Sequence, residues 1–128
     1  MIEILPMSDK DREAKLLESI GAKEENARIL AMTEGGSLLG WVAVDILDDT
    51  LRMLRFHLEN EASPAEYDFY MDTLMRAAAS YGEVNKAGKL ATVTGEYNGF
   101  LIKRGFEADA SHAFAPMSLI VHYTNPFI

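Results

Sequence analysis

Leu51 to Gly82, LRMLRFHLENEASPAEYDFYMDTLMRAAASYG, decides the fold. It reads as a strand from Leu51 to Glu59, a short acidic connection and an amphipathic helix. Ser63-Pro64-Ala65-Glu66 starts that helix with an N-cap serine, proline at the first helical position and glutamate at the third. Tyr67, Met71, Leu74, Ala78 and Tyr81 recur at helical spacing and form one stripe. Asp72 and Arg76 are placed to pair on the opposite face, and Gly82 reads as the C-terminal cap.

Towards the N-terminus, Ser37 to Leu47 is rich in Leu, Val, Ile and Trp and reads as a strand. It is apolar at both alternations, so it is expected to be covered on both faces. Glu34-Gly35-Gly36 and Asp48-Asp49-Thr50 are turn signals on either side of it. With Ala27 to Thr33 and Leu51 to Glu59, it makes an antiparallel meander. Ile2 to Leu5 is a first strand. A helix follows from about Asp9 to Ile20, with Ser8 and Asp11 as an acidic variant of the capping box. A helical turn around Lys23 to Asn26 is a weaker signal.

Towards the C-terminus, Leu90 to Thr94 is a compact strand and Glu96 to Arg104 a short helix. Gly105 then fits a left-handed cap, and Phe106 folds back on Leu101. Phe106 to Ala110 and Met117 to Tyr123 read as the last two strands, joined around Pro116. The order β-α-β-β-β-α-β-α-β-β is an α/β (α+β) layout, a mixed and mostly antiparallel sheet with helices on both faces. The connection from Glu59 to Leu90 is long enough for a right-handed parallel crossover.

The 128 residues imply one domain, with 48% hydrophobic and 25% charged residues. Lys plus Arg is 12 and Asp plus Glu is 20, a formal net charge of −8. Nucleic acid and anionic membrane surfaces are therefore not expected partners. With no cysteine there is no disulfide, thiolate nucleophile or Cys-ligated zinc. No apolar run approaches the roughly 20 residues that span a bilayer. No signal peptide is read at the N-terminus, and a cytoplasmic location is the default expectation.

Three stretches together resemble the GCN5-related N-acetyltransferase (GNAT) superfamily. SLLGWVAVDIL is similar to that family's strand with glycine and an apolar close. LRMLRFHLE and the helix after it resemble its central strand and cofactor helix. FLIKRGFEAD resembles its K-x-G-F ending through Lys103, Gly105 and Phe106. The resemblance implies a sheet of six to seven strands, splayed in the middle, with acetyl-CoA in the splay as acyl donor. It implies transfer of the acetyl group to an amine, on a small molecule or a peptide.

By that resemblance, Phe56 and Leu58 on the central strand and Asn98 beside the cleft are candidate CoA-binding residues. His57 and Glu59 share one face of the strand and are the candidate base for the substrate amine. Tyr97 is the candidate acid. Two positions depart from the family pattern. No glycine occurs between Phe56 and Leu74, so the glycine-bearing pyrophosphate loop is absent, and Glu59, Glu61, Glu66 and Asp68 surround that junction. Leu101 stands where the family often has its tyrosine acid. These departures support an alternative, a non-catalytic module of the same fold that binds a small ligand or a protein partner.

Plainer readings exist for the same residues: a partly exposed pair for His57 and Glu59, a packed aromatic for Tyr97. Tyr67, Tyr70 and Met71 could line an acyl pocket, although helical stripes are usually core. His57, His112 and His122 lack the spacing of a metal site, and none is expected. The apolar end SLIVHYTNPFI invites strand pairing in a homodimer.

Overall fold

The computed structural model describes residues 1–121. Seven strands form one sheet: β1 (Ile2–Pro6), β2 (Arg28–Glu34), β3 (Ser37–Leu47), β4 (Thr50–Leu58), β5 (Lys89–Thr92), β6 (Glu107–Ala108) and β7 (Ala113–Pro116). Their spatial order is β1-β2-β3-β4-β5-β7-β6. All neighbours are antiparallel except β4 and β5, which are parallel, as the long connection requires. The sheet carries α1 (Lys10–Ser19) on one face. On the other lie α2 (Pro64–Val84) and α3 (Asn98–Ile102), which follows a 3-10 turn over Gly95–Tyr97.

The middle strand is covered on both faces because both alternations of its sequence are apolar. Val42 and Val44 are fully buried in the large core with Leu51, Met53, Leu74, Met75 and Leu90. Trp41 and Ala43 pack the other way, with Met7, Ile29 and α1. Each large side chain so buried contributes about 1.5–3 kcal/mol, while α1, built mostly from strong helix formers, adds Leu16 and Leu17 as partly buried cover over the smaller cluster.

The start of α2 follows its sequence signal. Ser63 Oγ accepts from the Glu66 N–H at 3.2 Å, and Glu66 Oε1 accepts from the Ser63 N–H at 3.1 Å. Asp72 pairs with Arg76 at 2.8 Å and also takes Arg104 at 2.9 Å. The buried face is centred on Met71, Leu74, Met75, Ala78 and Ala79, with Tyr67 at its rim.

Four local expectations are corrected. Asp9, not Ser8, caps α1, accepting from the Arg12 N–H at 3.1 Å. The weak helical turn at Lys23 to Asn26 is a single hydrogen-bonded turn displaced to Glu24–Ala27, Ala27 N–H to Glu24 O at 3.1 Å, and not a helix; within it Asn26 bonds both the N–H and the C=O of Ile46. Gly82 does not end α2, which runs on to Val84 with Asn85 as its cap. Gly82 is glycine for space: a Cβ there would lie 2.8 Å from Leu51 and 2.9 Å from Met117.

The last strand among the described residues is Ala113–Pro116, and residues 117–121 of the expected strand Met117 to Tyr123 are not extended. Asp109 forces the difference. Its carboxylate accepts from the Ser111 and His112 N–H groups, and the reversal it makes starts the return strand at Ala113. Met117–Leu119 is a 3-10 turn that brings Met117 under α2. Tyr123 and the rest of the expected pairing segment lie outside the described residues. The Gly105 cap is as expected, with φ +94° and the Phe106 N–H bonded to Leu101 O at 3.2 Å.

Candidate functional site

The site begins at a bulge. Opposite β3, Ala43 pairs with Arg55 and Val44 with Met53, so Leu54 is an extra residue on β4. A bulge bends its strand and sharpens the local twist. The parallel pairing with β5 ends at the same place, at Met53 with Thr92. Thr92 turns β5 aside: its hydroxyl donates to Thr94 O at 3.0 Å and accepts from the Ala113 N–H at 2.9 Å. Beyond Leu54 the two parallel strands diverge, and one edge of β4 is left without a strand.

Tyr97 fills that edge. The Phe56 N–H donates to the Tyr97 hydroxyl at 3.0 Å, and the hydroxyl lies 3.5 Å from Phe56 O as its donor. The two rings meet edge to face, 4.9 Å between centroids. Burial pushes the Tyr97 phenol above its ordinary range, against the lowering effect of the Phe56 hydrogen bond. A cleft of about 280 Å³ opens beside it, with Phe56, Leu58, Tyr67, Met71 and Tyr97 among its lining and Glu61 and Glu96 contributing carboxylates.

Strand alternation divides the sequence-predicted residues into two groups. Phe56, Leu58 and Tyr97 come together in the cleft, on the α2 side. His57 points to the α1 side, stacked on Trp41 with ring centroids 5.1 Å apart. Its Nε2 is 3.5 Å from Glu59, whose other oxygen is 3.8 Å from Arg12. His57 and Glu59 are therefore adjacent, as their spacing suggests, but across the sheet from Tyr97. Asn98 does not line the cleft. Its Nδ2 donates to Asp109 O at 2.7 Å, and its Oδ1 is buried without a protein partner.

The start of α2 borders the cleft, and its donors are largely committed. Pro64 has no N–H, and the Glu66 N–H is held by Ser63. In the first turn this leaves only the Ala65 N–H outside the capping box. Glu66 is held below the usual carboxylate range by its hydrogen bonds from Ser63, first the N–H and then the hydroxyl. A helix N-terminus carries only roughly half a positive charge, so the carboxylates here set the local sign. The bulge at Leu54 and the Tyr97 contact are not visible in the sequence pattern.

A second and larger groove, about 640 Å³, lies at the other end of the sheet with Lys89, His112 and Phe114 on its walls. His112 is held by Asp109 at 3.0 Å. Among the described residues no three His, Asp or Glu side chains cluster as metal ligands, and no helix is long and apolar enough to cross a membrane.

The architecture matches solved structures along almost their whole length. The ribosomal-protein-S18-alanine N-acetyltransferase from Escherichia coli superposes with a TM-score of 0.70 at 11% identity, covering 98% of this chain and 99% of that one. The PaiA N-acetyltransferase from Thermoplasma acidophilum, in complex with coenzyme A, gives 0.62 at 17% identity over 89% and 96%. A Bacillus subtilis acetyltransferase in complex with CoA gives 0.64 at 10% identity over 90% and 97%. The chain thus has the fold of the GNAT acetyltransferases, a seven-stranded, mostly antiparallel sheet with three helices. No protein-family model matches the sequence, and no curated protein does.

Proposed function

We propose that this protein is a CoA-dependent N-acyltransferase that moves an acetyl group from acetyl-CoA to an amine of a small molecule or peptide. One observation carries the reading: the edge of β4 freed beyond Leu54, beside a cleft, on a fold shared with proteins solved with CoA. The thioester arm would lie along Phe56 and Leu58, with Asn98 at the start of α3 near its end. The amine nitrogen attacks the thioester carbonyl carbon, the C–S bond breaks, and CoA leaves as a thiolate that takes up a proton. His57 or Glu59 is the candidate acceptor of the amine proton, and Tyr97 the candidate donor to sulfur. Because His57 and Glu59 sit across the sheet from Tyr97, the amine would approach from the α1 side.

A second reading has its own support. The glycine-free junction, the self-satisfied start of α2 and Leu101 in place of a tyrosine favour a non-catalytic module of this fold. Its ligand would then be a small molecule or a protein partner. The homodimer expected from the C-terminal segment falls largely outside the described residues and remains a proposal of the sequence.

Melting with added acetyl-CoA separates the two readings. A ligand at about 100 times its Kd stabilises the fold by about 2.7 kcal/mol. The enzyme reading expects a saturable rise in Tm, together with release of free thiol when an amine acceptor is present. No rise at millimolar acetyl-CoA contradicts it. With turnover in hand, His57→Ala and Glu59→Ala test the base, and unchanged rates in both remove that assignment.

A further inference from the structure

The contact between Tyr97 and Phe56 has the form of a stand-in. Phe56 presents one N–H and one C=O towards the gap that β5 leaves. A neighbouring strand would take both; here one phenol oxygen does, at 3.0 Å from the nitrogen and 3.5 Å from the oxygen. Buried main-chain donors are rarely left alone, so the edge cannot stand open and dry without some partner. Tyr97 is 6% exposed and closes a short 3-10 turn capped by Thr94, whose hydroxyl accepts from the Glu96 N–H at 3.2 Å; as the residue before α3 its own side chain caps nothing and is committed to Phe56 alone. Its ring is part of the wall of the cleft, so the contact with Phe56 borders the space a ligand would enter. A secondary amide in an extended chain offers the same pair of groups that the hydroxyl imitates, an acceptor for the N–H and a donor for the C=O.

We propose that Tyr97 is a latch on a ligand-pairing edge: in the free protein its hydroxyl holds Phe56, and an extended amide-bearing chain binds by displacing it. This rests on the CoA reading, because the pantetheine arm of CoA is a chain with two secondary amides. The latch lowers affinity by the fraction of molecules in which it is closed, and it favours ligands that can replace both hydrogen bonds over those that only fill the cleft. It also keeps the freed edge of β4 from pairing with another chain.

The test uses ¹⁵N-labelled wild type and Tyr97→Phe, each titrated with CoA and with pantetheine, following the Phe56 amide resonance. Phenylalanine keeps the ring packing and removes the hydroxyl. The latch predicts faster hydrogen exchange at the Phe56 N–H of the free variant. It also predicts binding about two- to tenfold tighter than wild type, the span of one net hydrogen bond. In wild type, binding must also move the Tyr97 ring resonances; a shifted Phe56 amide beside unmoved Tyr97 signals overturns the latch whether or not the variant folds. Equal or weaker CoA binding by a folded variant also overturns it and leaves the CoA reading standing. If pantetheine shifts Phe56 more tightly in the variant while CoA shifts neither protein, the latch stands and the CoA reading falls. If neither ligand moves Phe56 in either protein, both fall.

Discussion

Glu13 is 5% exposed and carries a carboxylate into the interface between α1 and β2. Its Oε2 accepts from Arg28 Nε at 2.9 Å and from the Ile29 N–H at 2.8 Å. Burial alone would raise its pKa, but the Ile29 and Arg28 hydrogen bonds and the charges of Arg28 and Lys10 outweigh it, and the pKa is lowered. A depressed carboxylate adds stability above its unfolded pKa and loses it as pH falls through the folded one. Glu13→Ala removes that acid-limb dependence and leaves the Ile29 N–H unpartnered, costing about 1–3 kcal/mol at neutral pH. Urea unfolding at neutral and acidic pH checks both, and a variant as stable as wild type at neutral pH contradicts the assignment. Asp109 is an exposed counterpart. Hydrogen bonds from the Ser111 N–H and hydroxyl, then from His112, hold it down at about 2. Its contribution is therefore complete above the usual Asp range and is lost as pH falls towards 2. A carbon-detected titration should find Asp109 near that value in wild type and higher in Ser111→Ala. An unchanged midpoint would show that the Ser111 hydroxyl is not a cause and leave the main-chain N–H bonds to hold the carboxylate down. At this scale the sequence disclosed what is local, such as the Ser63 and Glu66 cap. It did not disclose the Tyr97 to Phe56 bond, which joins residues 41 apart and leaves no periodic trace.

Strands and helices were legible where one period dominated. Ser37–Leu47 is a strand because apolar residues fill both alternations, and α2 begins where its cap is written. The ends were misjudged where a side chain redirected the backbone, as Asp109 does before β7. Glycine was ambiguous in the same way. Gly82 looks like a stop signal, yet it is a contact point inside α2. Two substitutions separate such roles. At Gly40 a Cβ would collide with the His57 carbonyl oxygen, a main-chain atom fixed in the β3–β4 ladder. At Gly82 the obstacles, Leu51 Cβ and Cγ and the Met117 methyl, stand farther off at 2.8–2.9 Å, and alanine recovers about 1 kcal/mol of helix propensity. Gly40→Ala should therefore cost about 1–3 kcal/mol or more, and Gly82→Ala less. Denaturation midpoints of the two variants give the order, and the reverse order would mean that β3 and β4 can part more easily than the ladder suggests. Because the displaced His57 carbonyl sits in the candidate site, Gly40→Ala should also disturb whatever His57 and Glu59 do.

The whole molecule joins these levels through one event in the middle of its sheet. The extra residue at Leu54 and the turn at Thr92 end the parallel pairing of β4 with β5 after four residue pairs, and the divergence that follows makes the cleft. The fold was legible because element order, turn residues and the capped helix all agreed. Of the candidate site, strand alternation disclosed that His57 and Glu59 share one face, where they lie together, while the bulge at Leu54 beside them depends on a register that only the folded sheet defines. The acidic surroundings, at a net charge of −8, suit a cationic amine better than a pyrophosphate, so binding of CoA is the decisive point. Mapping acetyl-CoA onto the ¹⁵N spectrum of the wild-type protein tests it most directly. Saturable shifts centred on Phe56, Leu58 and Tyr97 are the predicted result, extending to Asn98 next to Tyr97 and to the start of α2. A spectrum unchanged at millimolar acetyl-CoA, or shifts confined to the groove at Lys89 and His112, would contradict it.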